Sequence, residues 1–139
     1  MKIVIINKSD SVGGAAVVSR RLMHALRNAG ADARMLVIDK SCVDDRWIES
    51  YASGAIDKMN FIAERLDIFL HNKFSRENLF KVDTARWGRD ISNHDWVKEA
   101  DVIMFNWINQ GALSLKAIDR ICSLGKPVIW TMHDMWNCT

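Results

Sequence analysis

The amino-acid sequence predicts an α/β fold, a three-layer Rossmann-like sandwich with a mostly parallel sheet. Short runs of β-branched and other apolar residues recur along the chain. They are apolar at nearly every position, which is typical of parallel strands covered on both faces. These runs are residues 2–6, 33–38, 101–106 and 128–132. Segments with helical spacing lie between them, and strands joined through helices by short links form βαβ units. The 139 residues are enough for one such domain.

The first βαβ unit occupies the N-terminal part of the chain. Residues 2–6 form the strand that we expect at the centre of the sheet, and Gly30 ends the helix of residues 15–29. One face of that helix is apolar and carries Val18, Leu22, Ala25, Leu26 and Ala29. Residues 39–53, after the second strand, are polar and have no period, so we predict irregular structure there.

A second amphipathic helix is predicted from Ile56 to Phe74. Its apolar positions are Ile56, Met59, Ile62, Leu66, Phe69, Leu70 and Phe74. Its opposite face carries Asp57, Lys58, Glu64, Arg65 and Lys73. An apolar stripe normally faces a core, so we expect this helix to cover the sheet. A helix of this composition also fits peripheral docking on a membrane surface or on a partner. Residues 75–91 show no period and are predicted as a loop.

The C-terminal part repeats the alternation of helix and strand. Ser92 is a candidate cap for a short helix through Ala100, and Ser114 is a candidate cap for a helix to Leu124 that Gly125 ends. In the helix that Ser114 caps, we expect the inward residues to be Leu115, Ile118, Ile121 and Cys122. These elements complete a single domain over residues 1–139.

The composition excludes several classes of protein. The formal net charge is +2, from 19 basic and 17 acidic side chains, which is too balanced for a nucleic-acid-binding surface. Cys42, Cys122 and Cys138 are widely spaced and form no CxxC pair, so neither a disulfide framework nor a zinc site is indicated. The N-terminus lacks a signal-peptide pattern, and no apolar run is long enough to span a membrane. The sequence therefore predicts a cytoplasmic protein.

Three loops are predicted to meet at the carboxyl edge of the sheet, where open α/β sheets bind their ligands. They comprise residues 9–14, 107–110 and 133–136. Gly13 and Gly14 precede a helix, so the backbone can approach a ligand closely and free N–H groups favour an anion such as a phosphate. The pair is neither a GxGxxG fingerprint nor a P-loop. A loop that only needs a positive φ is the simpler explanation.

Polar side chains at this edge leave several kinds of site open. His133 and Asp134 fit a catalytic pair, a metal pair or a turn, but one His and one Asp do not make a metal site. Asn106, Trp107 and Asn109 offer hydrogen-bonding amides and a stacking face, a combination that suits a sugar, while Trp107 fits the apolar core equally well.

Asp39 supports a different interpretation. It follows the second strand, where a dinucleotide-binding protein carries its ribose-binding acid, although a single acid after a strand is more often a turn residue. A nucleotide-binding module of an oxidoreductase is therefore one alternative function. A non-catalytic interaction domain that uses the helix from Ile56 to Phe74 is another.

Four segments resemble the N-terminal domain of retaining glycosyltransferases of family 4, the group 1 glycosyltransferases with the GT-B fold. They are MKIVIIN at residues 1–7, SDSVGGAA at residues 9–16, ADVIMFNWIN at residues 100–109 with Gly111 and residues 113–115, and KPVIWTMHDMW at residues 126–136. The last two are the more specific. Where similar enzymes often carry a His in an HxHW-like segment, this chain has Phe105 and Asn106.

The resemblance implies roles for the residues at the carboxyl edge. Gly13 and Gly14 would approach the donor's diphosphate or the acceptor-side sugar through backbone N–H groups. His133 would contact the donor sugar near its reacting carbon, and Asp134 would orient that neighbourhood. We assign the acceptor contacts to Asn106, Trp107 and Asn109 because their amides and aromatic face suit a sugar.

The same resemblance implies the substrates and a missing domain. A hexose would pass with retention from a nucleotide sugar, which is a substrate, to a glycan or lipid-linked acceptor, with no metal and no other cofactor. The nucleotide and an acidic ExxxxxxxE-type motif would belong to a C-terminal donor-binding domain. We therefore expect the natural chain to continue past Thr139 and this part alone to be inactive. A cytoplasmic enzyme, with peripheral contact at the inner face of the membrane, is the expected setting.

Overall fold

The computed structural model of the protein describes residues 1–52, 54–77, 79, 82–134 and 136. Its strands are β1 (Lys2–Ile6), β2 (Asp32–Val37), β3 (Ile48–Ser50), β4 (Val102–Phe105) and β5 (Val128–Trp130). Its helices are α1 (Gly14–Asn28), α2 (Ala55–His71), α3 (Asp95–Glu99) and α4 (Leu115–Cys122). Parts of the predicted segments 39–53, 75–91 and 133–136, as well as Cys138 and Thr139, lie outside the described residues.

The strands form one sheet in the order β3-β2-β1-β4-β5, and every neighbouring pair is parallel. The central strand is β1, in which Ile5 aligns with Met35 of β2 and with Met104 of β4. Only the first residue of β1 is exposed, as expected for a strand covered on both faces. The predicted α/β class, the parallel sheet and the central position of β1 are confirmed.

Two apolar clusters lie on opposite faces of the sheet, because successive side chains of a strand point to opposite sides. Ile3 and Ile5 belong to the cluster that contains Met23 of α1. Val4 and Ile6 belong to the other cluster, which contains residues of α3 and α4. Helix α1 thus lies on one face of the sheet and α3 and α4 lie on the other, and the carboxyl ends of all five strands share one edge.

The segment of residues 39–53 is less irregular than predicted. Ile48–Ser50 forms β3, which pairs in parallel with β2, and Ile48 is buried. A strand of three residues is too short to show a period in the sequence, so only pairing with a neighbour reveals it.

The short helix α3 begins later than predicted, and Ser92 does not cap it. The cap is His94, whose Nδ1 accepts a hydrogen bond from the backbone N–H of Trp96 at 3.2 Å. The backbone N–H of Ser92 instead donates to the carboxylate of Asp90 at 3.0 Å. The predicted cap of α4 is confirmed, since Ser114 Oγ accepts from the N–H of Ala117 at 3.2 Å.

The inward faces of α1 and α4 differ from the predicted ones in detail. On α1 the buried residues are Ala16, Ser19 and Met23, whereas Val18 is half exposed and Ala25 is exposed. Ser19 can be buried because its hydroxyl donates to the carbonyl of Ala15 at 2.7 Å.

On α4, Ile118 and Ile121 face inward as predicted, with Ala117 beside them, but Leu115 and Cys122 are exposed. With about 100° of rotation per residue, Leu115 and Cys122 lie to one side of the face that Ala117, Ile118 and Ile121 turn toward the sheet. The last strand also differs: it is β5 at the sheet edge, and Ile129 is half exposed where a strand covered on both faces was expected.

Helix α2 contradicts the expectation that its apolar stripe covers the sheet. Its buried residues are Glu64, Arg65 and Ile68, and Phe61 and Phe69 are partly buried. The apolar residues that face solvent are Ile56, Met59, Ile62, Leu66 and Leu70. Glu64 and Arg65, which were predicted on the solvent side, are therefore the residues that pack α2 against the rest of the domain. The physical reason is that Glu64 and Arg65 find hydrogen-bonding partners in Leu79, Val82 and Ala85, which the sequence pattern of α2 does not reveal.

Candidate functional site

The candidate site lies at the carboxyl edge, where the segments after β1, β4 and β5 meet. Asn7 is buried directly after β1, and its Oδ1 accepts the backbone N–H of Trp107 at 2.8 Å. The backbone N–H of Lys8 donates to the carbonyl of Trp107 at 2.8 Å. These two hydrogen bonds hold the loops after β1 and β4 side by side, and the side chain of the buried Asn7 makes one of them.

The glycine pair stands at the start of α1 and is open to solvent. Gly13 has φ +86° and precedes the helix without a side-chain cap, and the first turn of α1 carries no acidic residue. A Cβ placed on Gly14 would meet no atom within 4 Å. Gly13 is therefore needed for the backbone conformation, whereas the missing side chain of Gly14 leaves space beside the helix N-terminus for a ligand.

A cleft of about 620 Å³ gathers four of the predicted site residues. Its lining is Val12, Gly13, Gly14, Ala15, Val18, Trp107 and His133. The residues come from the segments after β1, β4 and β5, which are adjacent in the sheet. The convergence of these segments was predicted, and the cleft between them has the dimensions of a small-molecule site.

Asp134 joins the loops on one side of this cleft. Its Oδ2 accepts hydrogen bonds from Trp107 Nε1 at 3.1 Å and from Asn109 Nδ2 at 3.0 Å. Its Oδ1 accepts the backbone N–H of Trp136 at 3.1 Å. The carboxylate thus fixes the indole of Trp107 by its N–H edge, and Trp107 lines the cleft. This arrangement makes Asp134 a positioning residue.

Three predicted residues are placed differently from one another. Asn106 lies beneath the cleft, 3% exposed, and its Nδ2 donates to Ser19 Oγ at 2.6 Å. Asn109 is also buried and acts through Asp134. His133 is exposed and lines the cleft, and its imidazole has no hydrogen-bond partner within residues 1–52, 54–77, 79, 82–134 and 136. Of the three, only His133 can touch a ligand without rearrangement.

A second cavity of about 400 Å³ lies at the same edge near Lys8. Asp39, Phe61 and Gln110 are among its lining residues. Burial lowers the pKa of Lys8, and the neighbouring Asp39 carboxylate opposes that shift. The ammonium lies 5.2 Å from the ring centroid of Phe61 and 5.6 Å from that of Trp107. Asp39 therefore lines a different cavity from the glycine pair.

Asp10 fixes the loop that precedes Gly13. Its carboxylate is buried and accepts the backbone N–H groups of Ser41 at 2.9 Å and Cys42 at 2.8 Å. Burial alone would raise the pKa of Asp10, but the N–H donors of Cys42 and Ser41 outweigh it and lower the pKa. Sequence reasoning missed Asp10 and Lys8. Their position directly after β1, the central strand, is the signal that could have found them.

A buried polar cluster connects α2 to the site. Glu64 is fully buried, and its carboxylate accepts from Arg65 Nη2 at 2.9 Å and from the backbone N–H of Ala85 at 3.0 Å. Burial, and next a hydrogen bond with Asp83, raise the pKa of Glu64 to about 7.

Asp83 extends that cluster to the cleft. Its Oδ2 accepts the backbone N–H of Gln110, and its carbonyl accepts from Trp136 Nε1 at 2.9 Å. Gly111, next to Gln110, has φ +77°, and a Cβ there would come within 3.2 Å of the backbone N of Phe61 on α2. The polar side of α2 therefore fixes the position of the loop after β4, which carries Trp107 and Asn109.

Two features are absent from the described part of the chain. Its His, Cys, Asp and Glu side chains form no group of three or more that could hold a metal ion. Among its helices none combines the length and apolarity that crossing a membrane requires.

Comparison with known proteins gives no relative. The chain matches no protein-family model, no curated protein and no solved structure. The glycosyltransferase resemblance therefore rests on the four sequence segments, and the function is argued from the geometry of the cleft.

Proposed function

We propose that this chain is the acceptor-side domain of a retaining glycosyltransferase that uses a nucleotide sugar. The observation that carries the proposal is the cleft of about 620 Å³ in which Gly13, Gly14, Trp107 and His133 converge. It combines an uncapped helix N-terminus, an aromatic ring and an exposed imidazole. These are groups suited to a phosphate, the apolar face of a sugar ring and a sugar hydroxyl.

In the proposed reaction the bond between the sugar's anomeric carbon and the leaving diphosphate oxygen breaks. A bond from an acceptor hydroxyl oxygen to the same carbon forms on the same face, and the hydroxyl proton passes to the diphosphate. Backbone N–H groups near Gly13 and Gly14 stabilise negative charge on the phosphates as the bond breaks. His133 donates a hydrogen bond to the donor sugar and positions it, and needs to accept no proton.

The oxidoreductase alternative receives less support from the placement of Asp39. In a dinucleotide site the glycine-rich turn and the ribose-binding acid contact one cofactor. Here Asp39 lines the cavity near Lys8, whereas Gly13 and Gly14 line the other cleft.

The test is a residue-resolved NMR titration of the ¹⁵N-labelled protein encoded by the whole natural reading frame, because the resemblance assigns the nucleotide to a C-terminal domain. UDP and GDP sugars are compared with NAD, and we expect the sugar nucleotides to shift the amides of Gly13 and Gly14 and the indole N–H of Trp107. The variant Gly14→Val fills the cleft with a side chain and should abolish these shifts. Ala25→Val adds bulk on an exposed part of the same helix and serves as the matched control.

A second arm examines His133 in the protein encoded by the whole natural reading frame. His133→Ala should lower transfer by about 100-fold if the imidazole acts mainly in the transition state. His24→Ala, at an exposed position of α1, should not change transfer. Shifts caused by NAD at Asp39, or unchanged turnover of His133→Ala, would overturn the proposal.

A further inference from the structure

The cavity of about 400 Å³ near Lys8 takes no part in the proposed transfer reaction, and both signs of charge line it. Its ionisable lining residues are Lys8, Asp39, Asp57 and Lys58. Its larger apolar lining residues are Ile38, Phe61 and Ile62. Apolar walls with a few charged groups, around a volume of this order, are typical of a site that holds a small molecule.

The walls of this cavity are held in place by contacts within the fold. The loop after β4 comes so close to α2 at Gly111 that a Cβ there would lie 3.2 Å from the backbone N of Phe61. On its polar side α2 is fixed by Glu64, whose carboxylate accepts the backbone N–H of Ala85 at 3.0 Å. The contact with the loop and this hydrogen bond together fix α2, so the cavity is already formed before a ligand enters it.

The ammonium of Lys8 carries a charge that the fold compensates incompletely. Its two hydrogen bonds go to neutral oxygens, the carbonyl of Gln110 at 3.3 Å and the Oε1 atom of the same residue at 3.2 Å. No carboxylate forms an ion pair with it in the part of the chain that the structure describes. Burial lowers the pKa of Lys8, because the charged form loses part of the solvation that it has in water. A ligand carboxylate beside Lys8 would supply the missing compensation.

The opposite side of the charge pattern offers a carboxylate to a ligand. Asp39 is exposed, and its side chain makes no hydrogen bond or ion pair within the described residues. Asp57 is mostly buried and faces Arg89 at 3.8 Å, so the fold balances part of its charge. Asp39 is therefore the group that can receive the ammonium of a ligand, and Phe61 supplies a ring on which apolar carbon can pack.

We propose that this cavity binds a free α-amino acid with an apolar side chain, whose carboxylate pairs with Lys8 and whose ammonium pairs with Asp39. A simple anion would lie near the carboxylates of Asp39 and Asp57, and a simple organic cation would lie near Lys8, so each would meet like charge. A neutral ligand would leave the partly buried ammonium uncompensated. The inference is independent of the proposed transferase activity, because this cavity and the cleft of about 620 Å³ share no lining residue.

The test is isothermal titration calorimetry of the protein encoded by the whole natural reading frame, without any sugar nucleotide. The ligands are L-phenylalanine, hydrocinnamate, which lacks the ammonium, and phenethylamine, which lacks the carboxylate. We expect L-phenylalanine to bind with a Kd below about 1 mM and each analogue to bind at least about tenfold more weakly. The difference arises because an analogue leaves one charged group of the cavity without its partner.

Two variants assign each charge of the ligand to its partner. Lys8→Met removes the cation at nearly constant length and should weaken the binding of L-phenylalanine at least about tenfold without weakening that of phenethylamine. Asp39→Asn should weaken the binding of L-phenylalanine to a similar extent without weakening that of hydrocinnamate. Lys116→Met and Asp44→Asn change exposed residues outside the cavity and should leave all three affinities unchanged.

NMR of the wild-type protein locates the bound amino acid without any substitution. L-Phenylalanine should shift the backbone amides of Gly54 and Gly111, which line the cavity, and leave those of Gly13 and Gly14 unchanged. This measurement decides the question even where Lys8→Met fails to fold. Absence of saturable binding, equal binding of either analogue, unchanged affinity of a folded Lys8→Met, or shifts confined to Gly13 and Gly14 would overturn the proposal. Absence of sugar-nucleotide binding would affect only the transferase proposal.

Discussion

Helices α2 and α4 are both amphipathic in sequence, yet they bury opposite kinds of residue. Helix α4 turns Ala117, Ile118 and Ile121 toward the sheet, as a surface helix of a globular domain does. Helix α2 turns Glu64 and Arg65 inward and presents its apolar row to solvent. The difference teaches that a period of 3.6 residues identifies an apolar face but does not say whether the domain's own core covers it.

The residues on which each helix packs explain the difference. α4 lies on apolar residues of the sheet, so burial of its apolar side chains is favourable. α2 lies on Leu79, on residues 82–85 and on the β4 loop, which present carbonyls, N–H groups and the Asp83 carboxylate. Such groups require hydrogen-bonding partners when they are buried, and only the polar side of α2 supplies them.

The largest expected effect comes from breaking the polar seat of α2. Arg65→Ala would leave the Glu64 carboxylate buried without its cation, so we expect the free energy of unfolding to fall by about 3–5 kcal/mol. Urea unfolding measures the change, and Lys58→Ala on the exposed side of the same helix is the control. A loss as small as that of the control would mean that the cluster does not seat α2.

A pair of truncations compares the two helices directly. Ile121→Ala in α4 removes a fully buried side chain and should destabilise the fold by about 2–5 kcal/mol. Leu66→Ala in α2 removes an exposed one and should change stability by less than about 0.5 kcal/mol. Thermal and urea unfolding of both variants provide the measurement. Equal losses would show that Leu66 and the other apolar residues in its row on α2 are covered within the folded chain.

The stability of the fold should depend on pH through the buried Glu64 of α2 and not through exposed acidic residues. The pKa of Glu64 is raised from 4.5 to about 7, so its protonated form favours the folded state. Its contribution is fully present below pH 4.5 and is lost as the pH rises through about 7. Relative to wild type, Glu64→Gln should therefore gain stability with rising pH, by up to about 3 kcal/mol.

Unfolding curves at several pH values test this expectation. The exposed Glu77→Gln is the control. If the difference between Glu64→Gln and wild type does not change between pH 4.5 and about 8, Glu64 does not titrate as its burial requires.

The smallest effect concerns how the two helices begin. α4 has a side-chain cap in Ser114, whereas α2 begins after Gly54 without one. Ser114→Ala should cost about 1 kcal/mol because the N–H of Ala117 loses its acceptor. Urea unfolding is sensitive enough to detect this loss. Ser123→Ala, at the exposed end of α4, should be neutral, and a comparable loss there would point to a general effect of serine removal.

Much of the candidate site followed from order along the chain. Gly13, Trp107 and His133 each come after a strand, and in a parallel sheet the carboxyl ends lie at one edge, so their convergence was predictable. The hydrogen bonds from Trp107 and Asn109 to Asp134 were not predictable, because they depend on side-chain distances across loops. Asn106 was placed in the site by its position after β4, but its side chain turns down to Ser19.

The sequence by itself determined the fold class, the central strand and the edge at which the loops meet. Each of these depends on local composition and on the alternation of strand and helix, which are properties of neighbouring residues. The tertiary structure alone decided the short strand β3, the cap at His94 and the orientation of α2. These depend on partners distant in sequence, such as Ala85 for Glu64, and hydrogen-bond satisfaction in a buried place outweighs the hydrophobic period of a single helix.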